Sequence, residues 1–449
     1  MRCRRLVYGI LLVAMAAACS SESPEPSRPN VVMIVLDTTR HDHLGSYGHS
    51  RDTSPAIDAF ASDAIRFDRA YATAPWTKPT VASMFTGLYP SRHGLQIMEA
   101  ALPDGLVTLA ELLGERGYAT AGVISHVLLD PRHGFAQGFD EYVEVVDAED
   151  PHESISTGRV TDAALEILSG RDSGRPLFLF VHYFDPHYNY KRHPEYGFAP
   201  AQSGRLRGDE SIYDLYELMP DMTPEEIEFI EAVYDEEIRH MDDGVGRLLG
   251  ALEETLGLDD TLVVLAADHG EEFMTHGNIG HTITLYEDVM RVPLIVRPPG
   301  HQAGKTVVHT PVSLVSIVPT VLDLVGLDIE GLVTQGRPLI SALDSGDAPD
   351  QGSVIFCETD EQRNKRAVIV GRDKLIRDEE SGRIELYDIV ADPDELEDLS
   401  KHRPGRVTEL LVVLDQTIVW AARGSIAADE VTLTDEQREQ LRSLGYVDN

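Results

Sequence analysis

Cysteine is scarce in this sequence. Cys3, Cys19 and Cys357 are the only three in 449 residues, and they stand far apart. With Cys3 inside a leader, only Cys19 could face Cys357, so no disulfide framework can be drawn. Positive charge is scarce too. Lys and Arg total 38 against 76 acidic residues, a formal net charge of -38. Such a surface repels phosphate backbones and argues against a nucleic-acid partner. There is no internal repeat. One apolar run stands apart, Leu6 to Ala18, and it is too short for a bilayer span, which needs about 20 residues. What remains is ordinary: 42% hydrophobic and 25% charged residues suffice to bury a sizeable core.

The first residues pair a basic head (Arg2, Arg4, Arg5) with that apolar run and with small alanines before Cys19. This is the make-up of a secretory signal over residues 1–18. "MAAACS" resembles a bacterial lipobox, which would make Cys19 a lipid-bearing first residue tied to a membrane of the cell envelope. Ala16 stands where a lipobox usually has Leu, and a plain cleaved signal is the alternative. Residues 19–29 then form a Ser/Pro/Glu tether that cannot pack a core. The expected location is the envelope, at the outer membrane or in the periplasm.

From Asn30 onward, apolar β-branched runs alternate with helical patterns. Residues 30–37, 119–125, 177–185, 261–268 and 292–300 read as buried strands. Residues 106–117 and 224–256 read as helices; in the second, Ile230, Val233, Ile238, Met241, Val245 and Leu248 recur at helical spacing. The alternation predicts an α/β fold with a large, mostly parallel central sheet flanked by helices. After Ile340 the chain turns polar, then resumes with "SVIFCET", "RAVIVG", "DKLIRD" and "RIELYDI", the pattern of a smaller antiparallel sheet. Thr434 is placed to cap a last short helix. The expected units are therefore 30–340 and 341–449.

Chemistry in such sheets gathers at the carboxyl ends of strands. Asp37 follows one apolar run and Asp268-His269 another, so two hard oxygen ligands and an imidazole would meet in one crevice. That set suits a divalent cation such as Mn, Zn or Mg. The alternative is that each Asp merely forms a turn or caps a helix. In "DHGEEFMTHGNIGH" the histidines 269, 276 and 281 cluster with Gly270, Gly277 and Gly280, which would let the backbone approach a ligand.

"NVVMIVLDTTRHDHLGSYG", "APWTKPTVASMFTGLYPSRHG", "HYFDPHYNY", "YDEEIRHMDDGVGRLL", "AADHGEEFMTHGNIGHTITLYEDVMRVPLIV" and "ELYDIVADPDELEDLS" together resemble the sulfatase family of the alkaline-phosphatase superfamily. The resemblance runs in order from Asn30 to Ser400 and implies an alkaline-phosphatase-like sandwich. It sets Thr77 at the nucleophile position of the family's Cys/Ser-X-Pro-X-Arg motif. Threonine cannot become formylglycine, so that cofactor is not expected; a threonine hydroxyl can attack directly beside a metal. The plain alternative for Thr77 is a helix N-cap. The resemblance implies Asp37, Asp268 and His269 as metal ligands, with the Thr77 oxygen completing the shell. The imidazole moves preference toward Mn or Zn and away from Ca. It implies His187 at the transferred group, His281 at the leaving oxygen, and Arg40 and Lys78 as cations touching the anion.

Two departures weaken the anion site: Val81 replaces the motif arginine and Ser125 falls at the family's lysine place. Thr38, where many members have a second acid, is not a ligand of that kind. A second ion on Asp185, His187 and His281 could replace the lost charge. The sequence thus predicts a metal-dependent hydrolase, or a transferase, acting on sulfate, phosphate or phosphonate esters. The reading from a different class is an inactive envelope binding protein that keeps the fold. The sequence sets no oligomeric state.

Overall fold

The structure, a computed structural model, describes residues 28–145, 156–301, 304–328, 331–340, 353–444 and 446. The leader, Cys19 and the tether up to Ser27 lie outside them. The apolar runs form the strands Asn30–Leu36, Ala119–Ile124, Leu177–Tyr183, Thr261–Ala267 and Arg291–Arg297, each buried along nearly its whole length. Helices cover both faces of the sheet at these five strands, so neither of their faces meets water and no polar alternation is needed.

Across the sheet the order is Thr306–Val308, Ile65–Tyr71, Arg291–Arg297, Thr261–Ala267, Asn30–Leu36, Leu177–Tyr183, Ala119–Ile124 and Glu141–Glu144, with Val312–Ser313 beside Ile65–Tyr71. Arg291–Arg297 runs against both neighbours; the other pairings are parallel. The predicted fold class holds. Ile65–Tyr71 was not expected as a strand. It carries Arg66, Asp68 and Arg69 at half-buried positions, which breaks the apolar signal its neighbours show.

The helix Pro224–Thr255 starts on a capping box between Thr223 and Glu226 and buries the six apolar residues named above. The shorter helix begins at Leu109, where Thr108 and Glu111 cap it, and ends at Gly114. Val354–Thr359, Lys365–Val370, Asp373–Asp378 and Ile384–Asp388 make the small antiparallel sheet, in chain order. Period-2 alternation divides its faces. Ile355, Cys357, Ala367, Ile369 and Ile376 join the main core, while Phe356, Val368, Leu375 and Leu386 pack on Leu410 and Leu414 of the helix Pro404–Ala421. That helix went unforeseen because it buries only Leu410, Leu414 and Ala421, too narrow a stripe to read as amphipathic. Thr434 caps Asp435–Ser443 through a capping box with Gln437.

One register positions the chemistry. Leu36 lies opposite Ala267 on one side and Tyr183 on the other. The three parallel strands therefore end level, and the next residues, Asp37 and Asp268, emerge side by side.

Candidate active site

Asp37, Asp268 and His269 are wholly buried, and their ligand atoms lie within 4.8 Å of one another. His269 Nε2 is 3.6 Å from Asp37 Oδ1 and 3.6 Å from Asp268 Oδ2. His269 Nδ1 lies 3.0 Å from the Gly270 carbonyl. A carbonyl only accepts, so the neutral ring carries its proton on Nδ1 and turns a bare Nε2 inward. Neither Asp37 oxygen meets a donor, nor does Asp268 Oδ2. Burial, then the neighbouring Asp268 charge, holds the Asp37 carboxyl well above its usual range.

Lone pairs thus face lone pairs in a dry site, an arrangement that costs several kcal/mol unless something positive sits between them. A divalent cation fits, since ligands held about 2.1 Å from one ion stand roughly 3.4 Å apart in a tetrahedron. A contrasting His/acid group occurs at Asp235, whose carboxylate is bonded by His43, His49 and Arg51. Its charge is already answered. Thr38 supports the main cluster from behind. Its N–H donates to Asp268 Oδ1 at 3.3 Å, from a left-handed conformation at φ 49° that a β-branched residue seldom adopts.

Thr77 is the first residue of the helix Thr77–Thr86, and Trp76 holds the cap position. The hydroxyl is therefore not an N-cap. It points into the cluster, 3.3 Å from His269 Nε2.

His187 and His281 reach the same pocket, ring centroids 4.9 Å apart. Phe184 stacks on His187 and Tyr188 on His281, fixing both rings. Burial and the neighbouring imidazoles push His281 well below the usual histidine range. Three groups at the site had not been singled out. His126 follows the strand Ala119–Ile124 at the same level as Asp37, and Leu128 N–H donates to its Nδ1 at 3.0 Å, leaving the proton on Nε2. His182, within a strand and opposite Val35, has Nε2 3.4 Å from Asp37 Oδ2, and burial lowers its pKa to about 4. A polar residue in an otherwise apolar strand was the available signal for His182; the strand-end position was the signal for His126. The third is Tyr446. Its hydroxyl lies 3.0 Å from His187 Nε2, 3.1 Å from His281 Nε2 and 3.4 Å from His126 Nε2.

Several expected contacts are not made. Arg40 gives its donors to Asp42, Asp288 and the Glu271 carbonyl, a local charge network. Lys78 is fully buried, its ammonium bonded to the Met98 and Ala100 carbonyls. Neither cation is free to hold an anion. Burial lowers the Lys78 pKa to about 7. Lys78→Met should therefore strand two carbonyls and cost about 1–3 kcal/mol of stability, with kcat/KM nearly unchanged. Parallel melting and kinetic measurements check this; a kcat loss at unchanged stability would return Lys78 to the anion. Asp185 does not join a second ion cluster. Its carboxylate accepts from the N–H and hydroxyl groups of Ser156 and Thr157, covering the N-terminus of the preceding helix, Thr157–Gly170. His276 stacks on Tyr286 and faces the Glu395 carbonyl instead. Gly270 serves chain packing rather than a ligand, because a Cβ there would lie 2.1 Å from the Asp288 carbonyl. Ser125 bonds the His182 carbonyl at 2.8 Å, and Val81 is buried within its helix.

Comparison with known proteins agrees with this architecture. The sulfatase family profile matches residues 29–327, and the profile for the C-terminal part of N-sulphoglucosamine sulphohydrolase matches residues 278–418. The N-acetylglucosamine-6-O-sulfatase of Bacteroides thetaiotaomicron is 24% identical, the match covering 92% of this chain and 90% of that protein. Arylsulfatase A of Bos taurus is 28% identical over 81% and 77%. Among solved structures, a 2-O GAG sulfatase superposes with a TM-score of 0.74 at 21% identity, over 93% of this chain and 96% of its own. The phosphonate monoester hydrolase of Agrobacterium radiobacter gives 0.70 at 23% identity, over 87% and 96%. At these identities the structural matches speak for the fold.

Proposed function

The chain belongs to the sulfatase family and is a hydrolase of that family; from this premise we propose that it cleaves sulfate, phosphate or phosphonate esters with Thr77 as nucleophile and without formylglycine. The observation that carries the reading is the Thr77 hydroxyl, free of any capping duty and 3.3 Å from His269 Nε2, beside carboxylate oxygens that no donor meets.

Asp37, Asp268, His269 and the Thr77 oxygen would hold one divalent cation, Mn or Zn in preference to Mg or Ca. Such an ion supplies positive charge and favours the deprotonated hydroxyl. Thr77 Oγ1 attacks sulfur or phosphorus in line while the ester oxygen departs. The first-turn N–H groups of its helix face the incoming anion. His281 and His187 face Glu271 and the Tyr188 carbonyl through Nδ1, so each turns a bare Nε2 to the pocket. One of them takes the proton that Thr77 gives up and passes it to the departing oxygen. It then takes a proton from the attacking water and returns it to the Thr77 oxygen as the group is released. In a transferase an acceptor alcohol takes the water's place.

Val81 and Ser125 stand where the family places cations that clamp the anion. The fold is shared alike with a sulfatase and a phosphonate monoester hydrolase, so the experiment compares all three ester classes. The test uses the soluble chain from Ser20 onward, stripped of metal and then loaded with Mn or Zn. Nitrophenyl sulfate, phosphate and phosphonate esters are the substrates. Turnover of at least one, only in the loaded protein, is the expected result. Substoichiometric metal with no turnover of any would mean an inactive binding protein.

The envelope location is part of the same proposal. No described helix is long and apolar enough to cross a membrane, so the anchor would be the lipid on Cys19. Cys19→Ala should shift the protein from the membrane fraction to the soluble fraction; retention in the membrane fraction would remove the anchor.

A further inference from the structure

The reacting groups are almost wholly covered. Thr77, Asp37, Asp268 and His269 are 0% exposed, His126 is 1% exposed, and His187 and His281 are each 3% exposed. An ester cannot reach Thr77 until something moves. The chain that covers the site is the segment around the last helix, Asp435–Ser443.

This segment ends in Tyr446, whose ring enters the pocket and is itself 2% exposed. Three imidazole Nε2 atoms converge on the phenolic oxygen at the distances given above, and the Thr77 hydroxyl lies beside it. No two of these four residues are neighbours in the chain. His126 Nε2 carries its proton toward the phenolic oxygen, while the His187 and His281 rings, engaged through Nδ1, turn bare Nε2 atoms that can take the phenol proton. The phenolic oxygen is the kind of atom, an oxygen on an aromatic carbon, that an aryl ester would bring there.

The segment is not part of the main core. Leu433, Leu441, Leu444 and Tyr446 pack with Ala74, Trp76, Met98, Val127 and Leu128 in a separate apolar cluster. Polar contacts add to it. Gln437 donates to Asp130 at 3.2 Å, Tyr213 to the Arg442 carbonyl at 2.6 Å, and Gln362 to the Tyr446 carbonyl at 3.4 Å. Such a satellite can open while the sheet stays folded.

We propose that residues 433–444 and Tyr446 form a strap that closes the active site, with the Tyr446 hydroxyl in the seat of an ester oxygen, so that substrate competes with Tyr446 for entry. The proposal rests on reading this pocket as the ester site. It makes Tyr446 a specificity-determining residue. Only a ligand that satisfies the three imidazoles better than a phenol does displaces the strap, which lowers the apparent affinity for every substrate by the fraction of time the site stands open.

Trp76 reports the motion. Its ring centroid is 6.5 Å from that of Tyr446, and the chain has two tryptophans, so Trp420→Phe leaves Trp76 alone. The experiment titrates metal-loaded Trp420→Phe protein with phenylphosphonate and follows Trp76 emission and Kd. A saturable red shift is expected. Tyr446→Ala in that background should be red-shifted before ligand is added and should bind on the order of tenfold tighter. Tyr446→Phe, which keeps the ring packing, should bind tighter by a smaller factor and so guards against misfolding of the alanine variant. Unchanged or weaker binding in both variants, or no emission change at saturation, overturns the strap. Thr77→Ala in the same background should give the same shift, so failure of Thr77 as nucleophile leaves this readout standing.

Discussion

Thr77→Ala is expected to abolish turnover, by about 10^4-fold to 10^6-fold in kcat, the range seen when an activated nucleophile is removed. The loss should come without a loss of fold. Trp76 occupies the cap position and Thr77 the first helical residue, so its hydroxyl satisfies no orphan N–H. A capping threonine replaced by alanine would instead lower stability by roughly 1 kcal/mol and leave chemistry intact. The two readings of this residue therefore predict opposite patterns. Melting temperature and kcat, measured on the same preparation, separate them. Thr77→Ser keeps a hydroxyl in place and should recover part of the activity.

The second large effect belongs to the carboxylates. Asp37→Asn should leave the protein with less than one metal ion per chain and reduce kcat/KM by on the order of 10^3-fold, the several kcal/mol that a bound cation contributes to charge stabilisation. Stability should move the other way in the metal-free protein. Asp37 and Asp268 are both 0% exposed, and the charge on Asp268 is one reason the Asp37 carboxyl resists ionisation. Removing one of the two acids relieves that repulsion. Metal-stripped Asp37→Asn should therefore melt above metal-stripped wild type. Added Mn or Zn should raise the wild-type melting temperature and leave the variant's unchanged. A variant that still binds metal and turns over normally would take Asp37 out of the site.

Much of this centre could be read from the sequence because its frame is made of strands with a simple signature. Runs such as "VVMIVL" and "TLVVLAA" are apolar throughout because a covered parallel sheet has no wet face. The acid at the end of each run marks where the strand stops. Parallel register then brings Asp37 and Asp268 together with no further information needed. Thr77 was singled out differently, by the resemblance of the turn and helix around it to the family's nucleophile motif, since a local reading alone gives only an N-cap.

The cations were not legible. Arg40 and Lys78 lie next to metal-site residues in the chain, but long side chains choose their partners in three dimensions. Lys78 reaches the carbonyls of Met98 and Ala100, and Arg40 turns to Asp42 and Asp288. Asp185 misled in the same way, because a carboxylate after a strand serves a helix N-terminus as readily as an ion. Tyr446 gave no local signal at all. It stands 165 residues from His281 and 320 from His126, and only the packing of a satellite cluster delivers it to the pocket.

The central claim is that the Thr77 oxygen forms the bond to sulfur or phosphorus. Mass spectrometry of peptides from the metal-loaded enzyme, acid-quenched during turnover, tests it most directly. The account predicts an unmodified threonine at position 77 in the resting enzyme and the same peptide heavier by one sulfuryl or phosphoryl group, on Thr77, in the quenched sample. An adduct on any other residue, or steady turnover with no adduct on Thr77 at any quench time, would contradict it.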